Sequence, residues 1–66
     1  MVSKCYLNYV KLRDANYMTD YAVGKRAGIN RANFTQWKKG KAAPSRNSLE
    51  KMAKLFDVPV NYFYEG

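Results

Sequence analysis

The sequence predicts an all-α domain, a compact bundle of five short helices over residues 1–66, on three observations. Apolar residues recur three and four positions apart along the chain, which is the period of a helix face, and no segment alternates strictly, so no strand is assigned. Glycine, proline and good helix caps cut the chain into helix-length pieces at Gly28, at Gly40–Pro44 and at Asp57–Pro59, with a weaker break at Asn16–Tyr17. A single cysteine, Cys5, excludes an intrachain disulfide, so 66 residues must be held by packing alone.

The first piece, Ser3 to Ala15, sets Cys5, Tyr9 and Leu12 at i, i+4, i+7. Tyr6, Leu7 and Val10 widen that stripe, and Ser3 can cap its start. The second opens at Thr19, a good N-cap, with Asp20 beside the positive helix end. Val23 and Ala27 share its inner face. Gly28 ends it, because a residue without Cβ tolerates the left-handed backbone of a tight C-cap, and Ile29 is expected to plug the corner. The third piece is capped by Asn30, runs to Lys39 and stops at Gly40, with Phe34 and Trp37 as its inner face. After Lys41–Ala43 and Pro44, Ser45 caps a fourth helix with Leu49, Met52, Ala53 and Phe56 at helical spacing. Asp57 and Pro59 interrupt it, and a final short helix is expected to hold Tyr62 and Phe63. Tyr6, Tyr9, Phe34, Trp37, Phe56 and Phe63 suffice for a small core. Trp37 reads as core, not as a platform for stacked bases, and Cys5 as a small buried hydrophobe.

Twelve Lys and Arg stand against five Asp and Glu, a formal charge of +7. That balance suits a polyanion, nucleic acid before an anionic membrane surface. The chain has no histidine. It also lacks an acid pair in a recognisable setting, a metal-ligand cluster and a phosphate-binding glycine loop, so neither an enzyme nor a metal, cofactor or small-molecule ligand is expected. Met1 to Lys4 lead into a mixed segment, not an apolar signal core, and no apolar run approaches the ~20 residues of a bilayer span. Together with the lone thiol, these features suggest a cytoplasmic protein.

The third helix carries the functional signal. Successive residues turn about 100° around a helix. With Phe34 and Trp37 inward, Ala32, Thr35, Gln36 and Lys39 point outward, with Arg31 and Lys38 flanking one side and Asn33 the other. A small, polar, basic face of this kind suits the major groove, which admits one helix and displays donors, acceptors and thymine methyls. Such a face is also what any solvated helix shows, so the helix alone does not decide.

From Leu12 onward the chain resembles the Xre/Cro-type helix-turn-helix family, which includes the lambda-class phage repressors. The residues that carry the resemblance are Leu12-Arg13, Met18-Thr19, Val23, Ala27-Gly28-Ile29-Asn30-Arg31, Phe34, Trp37 and Gly40-Lys41. Pro44-Ser45, Leu49, Met52-Ala53, Phe56, Val58 and Phe63 extend it through the C-terminal half. The resemblance implies a five-helix, lambda repressor-like DNA-binding domain with its helix-turn-helix at about residues 19–39. It implies base contacts from Arg31, Ala32, Thr35 and Gln36. Phosphate contacts would come from Asn33, from the start of helix two, and from Lys39, Lys41, Ser45 and Arg46 in and after the loop that follows helix three.

Two positions depart from the family pattern. Asp20 stands where members usually carry a Gln that holds a phosphate. A carboxylate there would repel one, leaving Tyr21 or Lys25, both on the exposed side, as replacements. Lys38 stands where some members have a Glu paired to the residue equivalent to Arg13. Two cations cannot pair, so Lys38 is expected to turn toward solvent or DNA. Leu55 points away from the Leu49–Met52–Phe56 face. It is read either as a stray surface residue or, with Val58, Val60 and Tyr64, as a homodimer interface. Operator DNA with inverted half-sites is the expected partner, and repression the expected consequence. A protein-interaction module, such as an antitoxin-like domain, is the alternative. An amphipathic peptide on a membrane surface is disfavoured because the glycine breaks interrupt any long apolar face.

Overall fold

Four side-chain caps set where the helices begin. In the protein's structure, a computed structural model that describes residues 1–65, Ser3 Oγ accepts from the Tyr6 N–H (3.2 Å) and Thr19 Oγ1 from that of Ala22 (3.1 Å). Asn30 Oδ1 accepts from the Ala32 N–H (2.8 Å) and Ser45 Oγ from that of Ser48 (3.1 Å). These caps open α1 (Lys4–Ala15), α2 (Asp20–Ala27), α3 (Arg31–Lys38) and α4 (Arg46–Phe56). Each satisfies an N–H that the helix itself cannot, worth about 1 kcal/mol apiece. All four residues are the caps expected from the sequence.

The helix ends follow equally local rules. Gly28 and Gly40 take φ of 74° and 75°, the left-handed turn that favours glycine. Tyr17 (φ 55°) and Asp57 (φ 57°) make the same turn after α1 and α4 without being glycine. The expected fifth α-helix is instead a single 3-10 turn, Val60–Tyr64. Pro59 precedes it and its carbonyl accepts from the Tyr62 N–H at 3.0 Å, an i to i+3 bond. A segment of five residues after a proline has too few i to i+4 bonds to hold a full α-turn. Helix α3 also stops one residue sooner than expected, with Lys39 as its C-cap.

Helix α1 packs on the 3-10 turn, and α2 on both α3 and α4. Tyr9, Val23, Met52 and Phe63 are fully buried where these elements meet. Tyr9 and Phe34 approach to 5.7 Å between ring centroids, Tyr6 and Trp37 to 6.5 Å, and Phe34 and Trp37 meet edge-on at 4.8 Å. This aromatic contact fixes α3 against α1.

Two expectations about α1 are corrected. Leu7, read as widening the apolar stripe, is 52% exposed. Asn8 is buried in the packed face instead, its Nδ2 donating to the carbonyls of Phe63 (3.0 Å) and Glu65. The 3-10 turn ends with free carbonyls that need donors, and an amide on α1 supplies them. Cys5 and Phe56 are only half-buried, and Leu55 lies half-buried against the core, not pointing away from it.

The α2–α3 crossing is tight at Gly24. A Cβ there would stand 2.9 Å from the Ile29 carbonyl oxygen and 3.0 Å from Phe34 Cε2. The turn between the two helices is closed by Gly28 and by the Ile29 N–H donating to the Gly24 carbonyl at 2.8 Å. Backbone approach at Gly24 and the buried Ile29 and Phe34 thus set the angle at which α3 leaves α2.

Candidate nucleic-acid interface

With Phe34 and Trp37 buried at 2% and 3% exposure, the rest of α3 has no choice of direction. Arg31, Ala32, Asn33, Thr35, Gln36 and Lys38 are exposed, as is the cap residue Lys39. The outward face drawn from the helical period is therefore the face the fold leaves open. A cleft of about 530 Å³ runs between it and α2, lined by Asp20, Tyr21, Arg31, Thr35, Lys38 and Lys39 over a floor that includes Phe34.

Beyond α3 the basic strip continues. Gly40 turns the chain, the Lys41 N–H donates to the Gln36 carbonyl at 3.0 Å, and Lys41 is exposed. A Cβ on Gly40 would strike the backbone of Met1 at 2.7–2.9 Å, so the first residue lies across this loop and braces it. Buried Pro44 then leads to the start of α4. The N–H groups of Arg46 and Asn47 there precede the first intrahelical bonds, as at every helix start, and can meet an anion.

The sequence-predicted phosphate residues are not equally free. Lys39 and Lys41 are in no ion pair among the described residues, and Asn33 is exposed. Lys25 lies over the ring of exposed Tyr21, 5.9 Å from its centroid, so the two candidate replacements for the missing Gln form one unit. Arg46 is shared: its Nε is 3.3 Å from Glu50 Oε2, and its guanidinium lies over the Tyr64 ring. Ser45 is the most engaged, since Oγ accepts from the Ser48 N–H and also donates to Ser48 Oγ at 3.2 Å. Its hydroxyl must leave Ser48 Oγ before it can donate to a phosphate.

Both departures from the family pattern resolve into one feature. Asp20, the first residue of α2, does not face a phosphate. Its Oδ1 accepts from the Tyr9 hydroxyl at 2.6 Å and from Arg13 Nη1 at 2.8 Å, and Oδ2 makes a longer 3.4 Å contact with the Tyr6 hydroxyl. Arg13 also pairs with Asp14 at 2.9 Å and lies over the Tyr9 ring. The arginine thus has its carboxylate, supplied by α2 instead of α3, and Lys38 is left exposed with no ion pair among the described residues. Charge follows the same geometry. Burial raises the Tyr9 phenol, and the hydrogen bond to Asp20 raises it further. Burial and the negative charge of Asp20 do the same to Tyr6. Burial alone would lower the Arg13 guanidinium, but its bonds to Asp20 and Asp14 outweigh that and hold it above its ordinary value.

Sequence reasoning missed this cluster because it considered a partner for Arg13 at position 38 alone. An acid at the first position of α2, seven residues after an arginine in the last turn of α1, was the available signal. Of the residues read as a dimer surface, Leu55, Val58 and Val60 are half-buried against the core and Tyr64 is 43% exposed. Among the described residues no group of three or more His, Cys, Asp or Glu could hold a metal ion, and no helix is long and apolar enough to cross a membrane.

The chain matches the helix-turn-helix family model over residues 11–63, which spans α2, the turn and α3 as well as α4. No curated protein and no solved structure matches it. The chain belongs to the Xre/Cro-type helix-turn-helix family of DNA-binding domains.

Proposed function

We propose that this helix-turn-helix protein is a sequence-specific transcriptional regulator, a repressor of phage or prophage type, that lays α3 in the major groove of double-stranded operator DNA. One observation carries the reading. The outward face of α3 presents Arg31, Ala32, Thr35 and Gln36 while Lys38, Lys39 and Lys41, in no ion pair among the described residues, continue along its edge and into the loop. Gln36 can pair bidentately with adenine, Thr35 and Ala32 can meet a thymine methyl, and Arg31 can reach guanine. Lys25, Asn33, Lys39, Lys41, Ser45 and Arg46 hold the flanking phosphates, with the first N–H groups of α4 beside them. The site of action is then the cytoplasm, where an operator is found.

One α3 gives few base contacts, so useful specificity calls for two copies on half-sites about 10 base pairs apart. The patch of Leu55, Val58, Val60 and Tyr64 is the proposed pairing surface. Footprinting should reveal an inverted repeat; a single isolated half-site would refute the paired arrangement.

Base contacts carry sequence information and phosphate contacts do not. Gln36→Ala should cost about 1–3 kcal/mol on the preferred duplex and relax the preference at one or two base pairs. Lys41→Ala should weaken specific and scrambled duplexes alike and flatten the salt dependence by about one phosphate's worth. Both are read by titrating the two duplexes over a salt series. Equal loss on both duplexes for Gln36→Ala would remove α3 as the reader.

A further inference from the structure

A second basic concavity opens between the C-terminal turns of α2 and α4. Arg26, Ala27, Lys51, Lys54 and Leu55 line a groove of about 220 Å³. The three charged side chains are exposed, whereas Ala27 and Leu55 are half-buried and give it an apolar floor. None of these cations is in an ion pair among the described residues, because Asp14 and Asp20 are held by Arg13, and Glu50 by Arg46. Asp57, the exposed C-cap of α4, pairs with none of them either. Arg26 and Lys54 lie in the last turns of their helices, where positive charge offsets the helix dipole. That role accounts for neither Lys51 nor the convergence of all three around Leu55.

We propose that this groove docks an acidic peptide segment of a partner protein, a short run of Asp and Glu carrying one aliphatic side chain that rests on Leu55. Charge complementarity selects the occupant. A second copy seated here about a two-fold axis would set Arg26, Lys51 and Lys54 against their own counterparts, a like-charge contact that disfavours association. The duplex fits no better. Around α2, Arg26 is turned about 100° from Lys25 and about 140° from Tyr21, so the groove opens on a different side of α2 from the α2–α3 cleft. A phosphate backbone also has no use for an aliphatic floor, whereas a peptide interface is built from an apolar centre inside a polar rim. Leu55 then leaves the pairing surface, which keeps Val58, Val60 and Tyr64.

The test titrates the full chain, followed residue by residue in amide NMR spectra, with a synthetic peptide of Asp and Glu around one Leu, and with the same peptide carrying Ser in place of Leu. Shifts should centre on Arg26, Ala27, Lys51, Lys54 and Leu55. The Ser peptide should bind about threefold more weakly. Lys51→Glu combined with Lys54→Glu should weaken the Leu peptide at least about tenfold while weakening the duplex by a clearly smaller factor, the share owed to the lower net charge alone. Lys51→Gln with Lys54→Gln provides the same comparison, with a smaller loss, should the double reversal unfold the chain. Shifts centred on Arg31 to Lys41 would show the peptide imitating DNA on α3 and overturn the proposal. So would unchanged peptide affinity in both double variants. Duplex affinity falling as far as peptide affinity would assign the groove to DNA, and self-association that strictly requires Lys51 and Lys54 would assign it to a second copy.

Discussion

The α1–α2 junction and the α3–α4 strip are both rich in polar side chains, yet they treat charge in opposite ways. At the junction, Arg13 is 20% exposed and held by Asp14 and Asp20, and Asp20 in turn receives the Tyr9 hydroxyl. Along the strip, Arg31, Lys38, Lys39 and Lys41 are exposed and in no ion pair among the described residues. A largely buried cation held by two carboxylates, as Arg13 is, stabilises the fold and contributes little to an external phosphate. A cation without a carboxylate partner adds self-repulsion to a chain of charge +7, and that repulsion is relieved when a polyanion binds. The difference separates residues that hold the reading helix in place from residues that reach for its target.

The comparison is broken most severely by Asp20→Ala. It leaves Arg13 with only the exposed Asp14 and strands the hydroxyl of fully buried Tyr9. A loss of about 2–3 kcal/mol is expected in urea denaturation, because charge-assisted hydrogen bonds are removed and a buried donor is left unsatisfied. For a domain this small that is a large share of the total, about 0.05–0.15 kcal/mol per residue. Duplex affinity of the fraction that stays folded should be unchanged or slightly raised, since a negative charge leaves the α2–α3 cleft. A stable Asp20→Ala protein would mean that the cluster does not hold α1 to α2.

Tyr9→Phe sharpens the same side. It should cost about 1–2 kcal/mol, the bond to a charged acceptor less the relief of burying a hydroxyl. It also tests the pH response. The folded-state pKa values of Tyr9 and Tyr6 lie above the unfolded tyrosine value of about 10. The unfolded chain therefore loses these protons first. Their contribution is fully present below about pH 10 and falls away as pH rises beyond it. Melting temperature followed from pH 8 to 11 should drop at the alkaline end in the parent chain, and less steeply in Tyr9→Phe.

Substitutions on the strip should leave the fold alone. Lys39→Ala and Lys41→Ala should each shift stability by no more than about 0.5 kcal/mol, while each takes about 0.9 from the salt-dependence slope of duplex binding. The smallest effect on stability is expected for Lys38→Glu. If Arg13 lacked a partner, an acid at position 38 would add about 0–1 kcal/mol. With Arg13 already held by two carboxylates, no gain above about 0.3 kcal/mol is expected, and duplex binding should weaken. A clear rise in melting temperature would show that Arg13 exchanges readily between partners and that the junction is looser than its distances imply.

Much of this protein was legible because the rules involved are local. Ser3, Thr19, Asn30 and Ser45 announce helix starts through short side chains that reach a backbone N–H within three residues, and Gly28 and Gly40 announce helix ends through their tolerance of positive φ. The open face of α3 was legible for the same reason, since fixing Phe34 and Trp37 inward fixes every other residue by rotation. What the amino-acid order determined by itself is thus the set of helices, their ends and the side of α3 that faces out.

Tertiary structure decided which of several equivalent partners each polar group took. Arg13 joined Asp20 across the α1–α2 turn, and Asn8 displaced Leu7 from the buried face to serve carbonyls at Phe63 and Glu65. It also brought Arg26, Lys51 and Lys54, from two helices, around one leucine. Helical period and capping act over three or four residues and leave a trace in sequence. Hydrogen bonds and charge pairs form between whatever groups the packing brings within about 3 Å, and that choice exists only after the helices have met.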